Sequence, residues 1–370
     1  MSARFLTVVL ERVFNMRDGF GREIDYMRIS VIDSCNLNCY YCNPCDNNEH
    51  CHALNILSVK EVLCIVRAAT RLGIKHFRLT GGEPLLHPQL DEMVLQIKKI
   101  PGVSSVSLTT NAVLLAQHAK WLKEAGIDSI NVSLDTIDAS EYERITKKPL
   151  LEEVKHGINA AIECGIRVKI NVVLTPQTDV VALTRYVAKK GTDIRFIEMM
   201  PVGEGHTNGV EPYKKVIGTL SKLYGEPCRI NTEKTKEINS GNDKRKIPDN
   251  GPAEYYIFPE LGIRVGLIQA IHGKFCDTCN RIRVTADGRL MPCLGSSVTM
   301  DLVPDSWDFA DDVEKDFAIV RALRAAIKAK PRCHNFNDNA VTYTKTTETK
   351  TTEIEAAEVN AARNMSRIGG

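Results

Sequence analysis

The sequence predicts an α/β fold, an incomplete barrel of six strand–helix units followed by a smaller C-terminal part. Three observations carry that reading. Apolar, β-branched-rich runs alternate six times with helical patterns, and the connections are short enough to require parallel strands with helices outside. The motifs with chemical potential fall where those runs end, which is where parallel α/β sheets place their ligands. Over residues 231–250 the composition turns to Lys, Glu, Asn, Asp and Gly, which marks a charged linker or loop between a part at 1–230 and a part at 251–370. A doubly wound open sheet would satisfy the same periodicity.

The strand runs are 25–32, 75–79, 103–109, 129–134, 167–174 and 193–198. The first helical pattern, 58–72, opens with the capping box Ser58-x-x-Glu61 and sets Val59, Val62, Leu63, Val66 and Ala69 on one face. Further helical patterns occupy 88–100, 114–125, 151–164, 179–190 and 213–224. Beyond the linker, 255–258 and 262–268 read as a hairpin, and 317–330 reads as a helix stopped by Pro331. A Thr- and Lys-rich stretch at 342–352 reads as exposed.

With 43% hydrophobic and 25% charged residues among 370, the chain has the composition of a soluble globular protein with a sizeable core. A net charge of +2 gives no global field for nucleic acid, so any phosphate recognition rests on locally placed arginines. The apolar run at 5–10 is broken at once by Glu11 and Arg12, too short for a signal peptide or membrane span, and a cytoplasmic location is the default. Six of the twelve cysteines stand in two tight groups, which favours metal ligation over disulfides.

The first group, Cys35, Cys39 and Cys42, has the spacing C-x-x-x-C-x-x-C. Three thiolates on a short loop suit three irons of a cubane cluster and leave the fourth iron open to a ligand. The second group, Cys276, Cys279 and Cys293, again offers three thiols. A structural zinc site would take four ligands. Cys45 or Cys51 for the first group, and His272 or Cys333 for the second, are the residues that would have to complete one. Between the second-group cysteines, Arg281 and Arg283 alternate on one face of a strand, a pair of guanidinium forks suited to phosphate. The chain ends in Gly369-Gly370, slender enough to thread a narrow pocket.

The first cysteine spacing, together with Gly81-Gly82-Glu83-Pro84 after the second strand run, resembles the radical S-adenosylmethionine (SAM) enzymes. With the second cysteine group, the arginine pair and the terminal Gly-Gly added, the chain resembles the GTP 3′,8-cyclase family of molybdenum cofactor biosynthesis from about Asp18 to Leu294, again at Lys330-Pro331, and at residues 365–370. The resemblance implies an incomplete (β/α)6 TIM-like barrel of radical SAM type with a C-terminal auxiliary iron–sulfur cluster domain. It implies two [4Fe-4S] clusters, on Cys35, Cys39 and Cys42 and on Cys276, Cys279 and Cys293, with SAM held at Tyr41, Gly82, Ser133 and Met200. GTP would meet Arg28, Arg78, Thr109, Lys169, Arg195, Arg281 and Arg283. The roles assigned to the reaction itself fall on Arg281, Arg283, Gly369 and Gly370. In that reaction a deoxyadenosyl radical removes hydrogen from the ribose 3′ carbon, and the carbon radical attacks C8 of guanine. A flavodoxin- or ferredoxin-like electron donor and a downstream cyclic pyranopterin monophosphate synthase are the implied partners, with a homodimer open to it and neither nucleic acid nor membrane expected. The sequence departs from the family at Ala112, where Gly is frequent, and at His87, where Arg is frequent. The alternative is a radical SAM enzyme that modifies a peptide or another small molecule and uses its second cluster as an auxiliary.

Overall fold

A computed structural model of the chain describes residues 16–42, 55–202, 210–230, 251–296, 298–302, 312–334 and 336. Cys45, Cys51, the linker at 231–250, the Thr-rich stretch and Gly369-Gly370 lie outside the described residues.

Six parallel strands follow one another in space as they do in sequence: β1 (Tyr26–Ser30), β2 (His76–Thr80), β3 (Ser105–Thr110), β4 (Ser129–Ser133), β5 (Val168–Leu174) and β6 (Asp193–Glu198). The helices between them are α1 (Val59–Arg71), α2 (Leu90–Lys98), α3 (Leu115–Glu124), α4 (Ala139–Thr146), α5 (Leu151–Glu163) and α6 (Val180–Lys189). Each of the six strands ends within two residues of the sequence expectation. Ser58 caps α1 as its pattern requires: its hydroxyl accepts from the Glu61 amide at 3.3 Å, and the Glu61 carboxylate accepts from the Ser58 amide at 2.7 Å.

Helix α4 was not foreseen. Its eight residues carry few apolar positions, and what starts it is local: the Asp138 side chain accepts from the Glu141 amide at 2.8 Å. The pattern at 213–224 forms a π-turn, Tyr213–Ile217, that runs into α7 (Gly218–Tyr224). The C-terminal helix α8 (Asp312–Lys328) begins five residues before its pattern and is tied to α1 by Arg71 and Asp316 at 2.8 Å.

The C-terminal strands extend both edges of the same sheet. On one side β9 (Arg264–Ile268) runs parallel to β6, followed by antiparallel β8 (Glu254–Ile257) and β7 (Cys228–Ile230). On the other, β10 (Arg281–Val284) runs parallel to β1, followed by antiparallel β11 (Arg289–Met291) and β12 (Met300–Asp301). The hairpin foreseen near 255–268 is β8–β9; the parallel pairing of β10 with β1 was not foreseen. β1 and β6 are not bonded to each other, so the six-strand ring stays open.

Alternation along the strands sorts the side chains. Met27, Ile29, Phe77, Leu79, Val106, Leu108, Ile130, Val132, Ile170, Val172, Ile194 and Phe196 are fully buried and join one core with the helix residues. Their neighbours on the other face are Arg, Lys, Asn, Ser, Thr and Tyr, and residues from all six parallel strands, together with β9 and β10, line a single cavity. Side chains from so many adjacent strands can share one cavity only if the sheet curls around it, which is the form a partial barrel takes. Among the described residues no helix is long and apolar enough to cross a membrane.

Candidate active site

The cavity has a volume of about 600 Å³. It is lined by the residues assigned above to the two clusters, SAM and GTP: the six cluster cysteines, Tyr41, Gly82, Ser133 and Met200, and Arg28, Arg78, Thr109, Lys169, Arg195, Arg281 and Arg283; His272 and Cys333 do not line it.

At the carboxyl ends of β1 and β2, the glycine motif supports the first cysteine loop. The Gly82 amide donates to Ile32 O and the Glu83 amide to Ser34 O, both at 2.8 Å. A Cβ on Gly81 would stand 2.4 Å from Ile32 O, and one on Gly82 would stand 2.2 Å from Ser34 O. The two glycines are therefore required by close backbone approach. Glu83 is fully buried and accepts from Thr110 Oγ1 at 2.7 Å, the Asn111 amide at 2.7 Å and the Leu85 amide at 3.0 Å. Burial raises its carboxyl to about 7. The clasp fixes the turn after β3. There Ala112 adopts φ 65°, the left-handed region that favours glycine, which accounts for the glycine frequent at this position. His87, the other departure, holds the entry to α1: its Nε2 bonds Leu57 O at 2.9 Å while its Nδ1 accepts from the Gln89 amide at 3.1 Å.

Asn111 reaches back to the cysteine loop, donating to Asn36 Oδ1 at 2.7 Å and lying 3.8 Å from Cys35 Sγ. Just after β4, Asp135 accepts from the Tyr41 hydroxyl at 2.5 Å and from the Val173 amide at 2.7 Å, and burial raises its carboxyl to about 6. Thus Cys39 to Cys42 are held from both sides. Burial pushes the thiols of Cys35 up to about 11 and Cys42 up to about 12, and raises Cys39 as well, so thiolates here need a cationic centre beside them.

The second cysteine group sits across the cavity. Arg22, paired with Asp18 at 2.5 Å, donates to Cys276 O at 2.6 Å, to Arg332 O at 2.9 Å and to Pro331 O at 2.6 Å, and so fixes the turn that carries Cys276. Glu198, at the end of β6, accepts from the Ile271 and His272 amides at 2.7 and 3.1 Å and also bonds the His272 ring. His272 is thereby committed to Glu198. Burial raises Cys276. Cys279 is also desolvated, yet the charges of Lys330 and Arg281 prevail and lower it.

All the cysteines among the described residues are free thiols. Among those residues no three His, Cys, Asp or Glu side chains converge on a point that a single ion could occupy. A lone zinc would draw its sulfurs to about 2.3 Å from one centre. Two sets of three thiols line one cavity, and each set is a donor set that could hold three irons of a cubane cluster and leave the fourth open.

Between the two cysteine groups the register stacks cations. Arg283, Arg28 and Arg78 are successive partners across β10, β1 and β2, with Ser107 next on β3. Arg78 donates to the Tyr26 hydroxyl at 2.5 Å and to Thr109 Oγ1 at 3.5 Å. Burial, and then the charges of Arg283 and Arg78, hold Arg28 well below the usual arginine range; burial lowers Arg283 to about 10 and lowers Arg281 as well. Arg195 donates to Asn171 Oδ1 at 2.9 Å; among the described residues its Nη2 has no hydrogen-bond partner, nor has Asn131 Oδ1. Gly266 opposite makes room, since a Cβ there would lie 2.8 Å from Arg195 Cγ. Lys169 is buried on β5 beside Asn131 in register.

Several lining residues escaped the sequence reading: Tyr26, His76, Asn131, Asn171, Phe275 and Lys330. Asn131 and Asn171 carried a usable signal, a polar side chain inside an apolar run at the period of the lysine or serine already noted.

The residues match two family models, the radical SAM superfamily over 29–182 and the C-terminal unit of molybdenum cofactor synthesis over 192–336. A GTP 3′,8-cyclase of Clostridium perfringens (strain SM101 / Type A) is 35% identical over 324 residues, spanning 87% of this chain and 95% of that protein. One from Pelotomaculum thermopropionicum is 36% identical over 327 residues, spanning 86% and 95%. Among solved structures, Streptococcus suis SuiB bound to S-adenosylmethionine shares the fold at a TM-score of 0.55 and 15% identity, covering 82% of this chain and 68% of that one. With that identity to curated members over nearly their whole length, and with both cysteine groups facing one cavity, the chain belongs to the GTP 3′,8-cyclase family of radical SAM enzymes.

Proposed function

We propose that this protein converts GTP to (8S)-3′,8-cyclo-7,8-dihydroguanosine 5′-triphosphate, a lyase reaction that opens molybdenum cofactor biosynthesis. The observation that carries the substrate class is the facing set of Arg28, Arg78, Lys169, Arg195, Arg281 and Arg283 in one cavity. Cations so placed repel one another and are costly to desolvate, and a triphosphate offsets both costs.

Cys35, Cys39 and Cys42 would hold one [4Fe-4S] cluster and Cys276, Cys279 and Cys293 the other. When bound, these clusters and SAM supply the one-electron chemistry and an open iron for each small-molecule ligand. The chain's own work is placement. The backbone at Tyr41, Gly82, Ser133 and Met200 would seat SAM near the first cysteine loop. Arg281 and Arg283 line the cavity with both cysteine groups and would grip the phosphates with Arg28, Arg78 and Thr109, while Arg195 and Asn131 offer a donor and an acceptor to the nucleoside. Curling the sheet around them excludes water from a reactive carbon centre. Gly369 and Gly370 are the further candidates for the radical step.

We further infer a division into a radical SAM part at 1–230 and an auxiliary-cluster part at 251–370 joined by the linker, a cytoplasmic setting, a flavodoxin- or ferredoxin-like donor, a cyclic pyranopterin monophosphate synthase downstream and a homodimer. The test is anaerobic reconstitution with iron and sulfide, then dithionite, SAM and GTP, with chromatography for 5′-deoxyadenosine and a GTP-derived product. Deoxyadenosine formed in step with GTP loss supports the reading, and Arg281→Ala then keeps SAM cleavage but loses GTP turnover. Deoxyadenosine with GTP intact would point to another substrate.

A further inference from the structure

Lys330 ends the segment that follows α8 and is 2% exposed, yet among the described residues no carboxylate lies within ion-pairing distance of it. Its ammonium has two hydrogen-bond partners, both backbone carbonyls. It donates to Arg281 O at 2.7 Å and to Pro292 O at 2.8 Å, and it lines the cavity together with Cys279 and Cys293. Arg281 is two residues beyond Cys279, and Pro292 immediately precedes Cys293. One buried charge therefore ties the backbone just after Cys279 to the backbone just before Cys293. A buried ammonium without a counter-charge is costly, and the negative charge that would offset it is a cluster bearing three thiolates.

We propose that Lys330 is a positioning residue of the second cluster: it joins the Cys279 and Cys293 arms and, through its charge, raises that cluster's reduction potential. The inference rests on the assignment of Cys276, Cys279 and Cys293 as cluster ligands. Reduction adds negative charge, and a fixed buried cation stabilises the reduced form.

The test uses the full chain carrying Cys35→Ser, Cys39→Ser and Cys42→Ser, so that iron and electron paramagnetic resonance report the second cluster alone. In that background Lys330→Met, which keeps the length of the side chain and removes its charge, is expected to retain about four irons per chain. At a fixed poise its ratio of reduced to oxidised cluster should fall roughly tenfold, a shift of about 59 mV to more negative potential for one electron. Lys330→Arg should return most of that shift. An unshifted midpoint in Lys330→Met with iron retained overturns the inference and leaves the cluster assignment intact. If Lys330→Met loses the iron, its recovery in Lys330→Arg supports the role of the charge, whereas loss in both reduces Lys330 to a packing residue. No iron in the background variant itself overturns the cluster assignment and the inference with it.

Discussion

Replacing Gly82 by Ala tests the most exacting contact in the site. The added methyl would start 2.2 Å from Ser34 O, 2.5 Å from the Ser34 carbonyl carbon and 2.6 Å from Asp33 O, all backbone atoms, so no side chain can swing aside. Reaching the 3.0 Å below which real Cβ contacts essentially never fall demands a displacement of at least 0.8 Å. The same displacement applied to the Gly82–Ile32 and Glu83–Ser34 hydrogen bonds, now 2.8 Å, takes both out of bonding range. Two net hydrogen bonds of about 1 kcal/mol each plus overpacking of about 1–3 kcal/mol give a local cost of roughly 3–5 kcal/mol. The fold's main core lies behind the strands and is untouched, so the loss concentrates in residues 32–42. Gly82→Ala should therefore remain folded by circular dichroism, bind about four irons per chain in place of about eight, and lose SAM cleavage while the second cluster's signal persists. A Gly82→Ala protein with full iron content and undiminished 5′-deoxyadenosine formation would refute the claim that this glycine sets the position of the cysteine loop.

Arg195→Met should raise KM for GTP roughly ten- to hundredfold, the loss of one charge-assisted hydrogen bond of about 1.5–3 kcal/mol, with kcat reduced less; steady-state GTP consumption checks it. Glu83, raised to about 7 from an ordinary 4.5, favours the fold when protonated. Its contribution is complete below about pH 4.5 and is lost as pH rises through 7, by at most roughly 3 kcal/mol. Urea melts of the iron-free protein between pH 5 and 8 should show that slope in the wild type, and Glu83→Gln should flatten it. Ser58→Ala should lower stability in the same melts by about 1 kcal/mol without altering GTP affinity, since it removes only the α1 cap.

What could be read from the sequence was what is local in the chain. Strand periodicity, the Ser58 capping box and the cysteine spacings are each contained within a few residues, and the six parallel strands lie where those patterns put them. The strand alternation also carried Arg281 and Arg283 onto one face, and both line the cavity. Long-range pairing could not be read. Nothing near Arg281 says that it registers with Tyr26, since that match depends on two segments 255 residues apart in sequence. Lys330 looked like a helix-end lysine because both its partners come from other segments. α4 was overlooked because an eight-residue helix holds only two turns of pattern, and its cap at Asp138 resembles any turn.

The parallel pairing of β10 with β1 has a consequence for how the molecule comes into being. A chain emerging from the ribosome can complete β1 to β6 and seat the first cysteine loop while β10 is still unmade. Until residue 281 docks beside residue 26 and Arg22 captures residues 331 and 332, the cavity lacks one wall, its arginine pair and three of its six thiols. Contacts of such sequence separation form late in folding. A cavity with both cysteine groups and the arginine pair is thus withheld from the nascent chain until β10 has docked against β1.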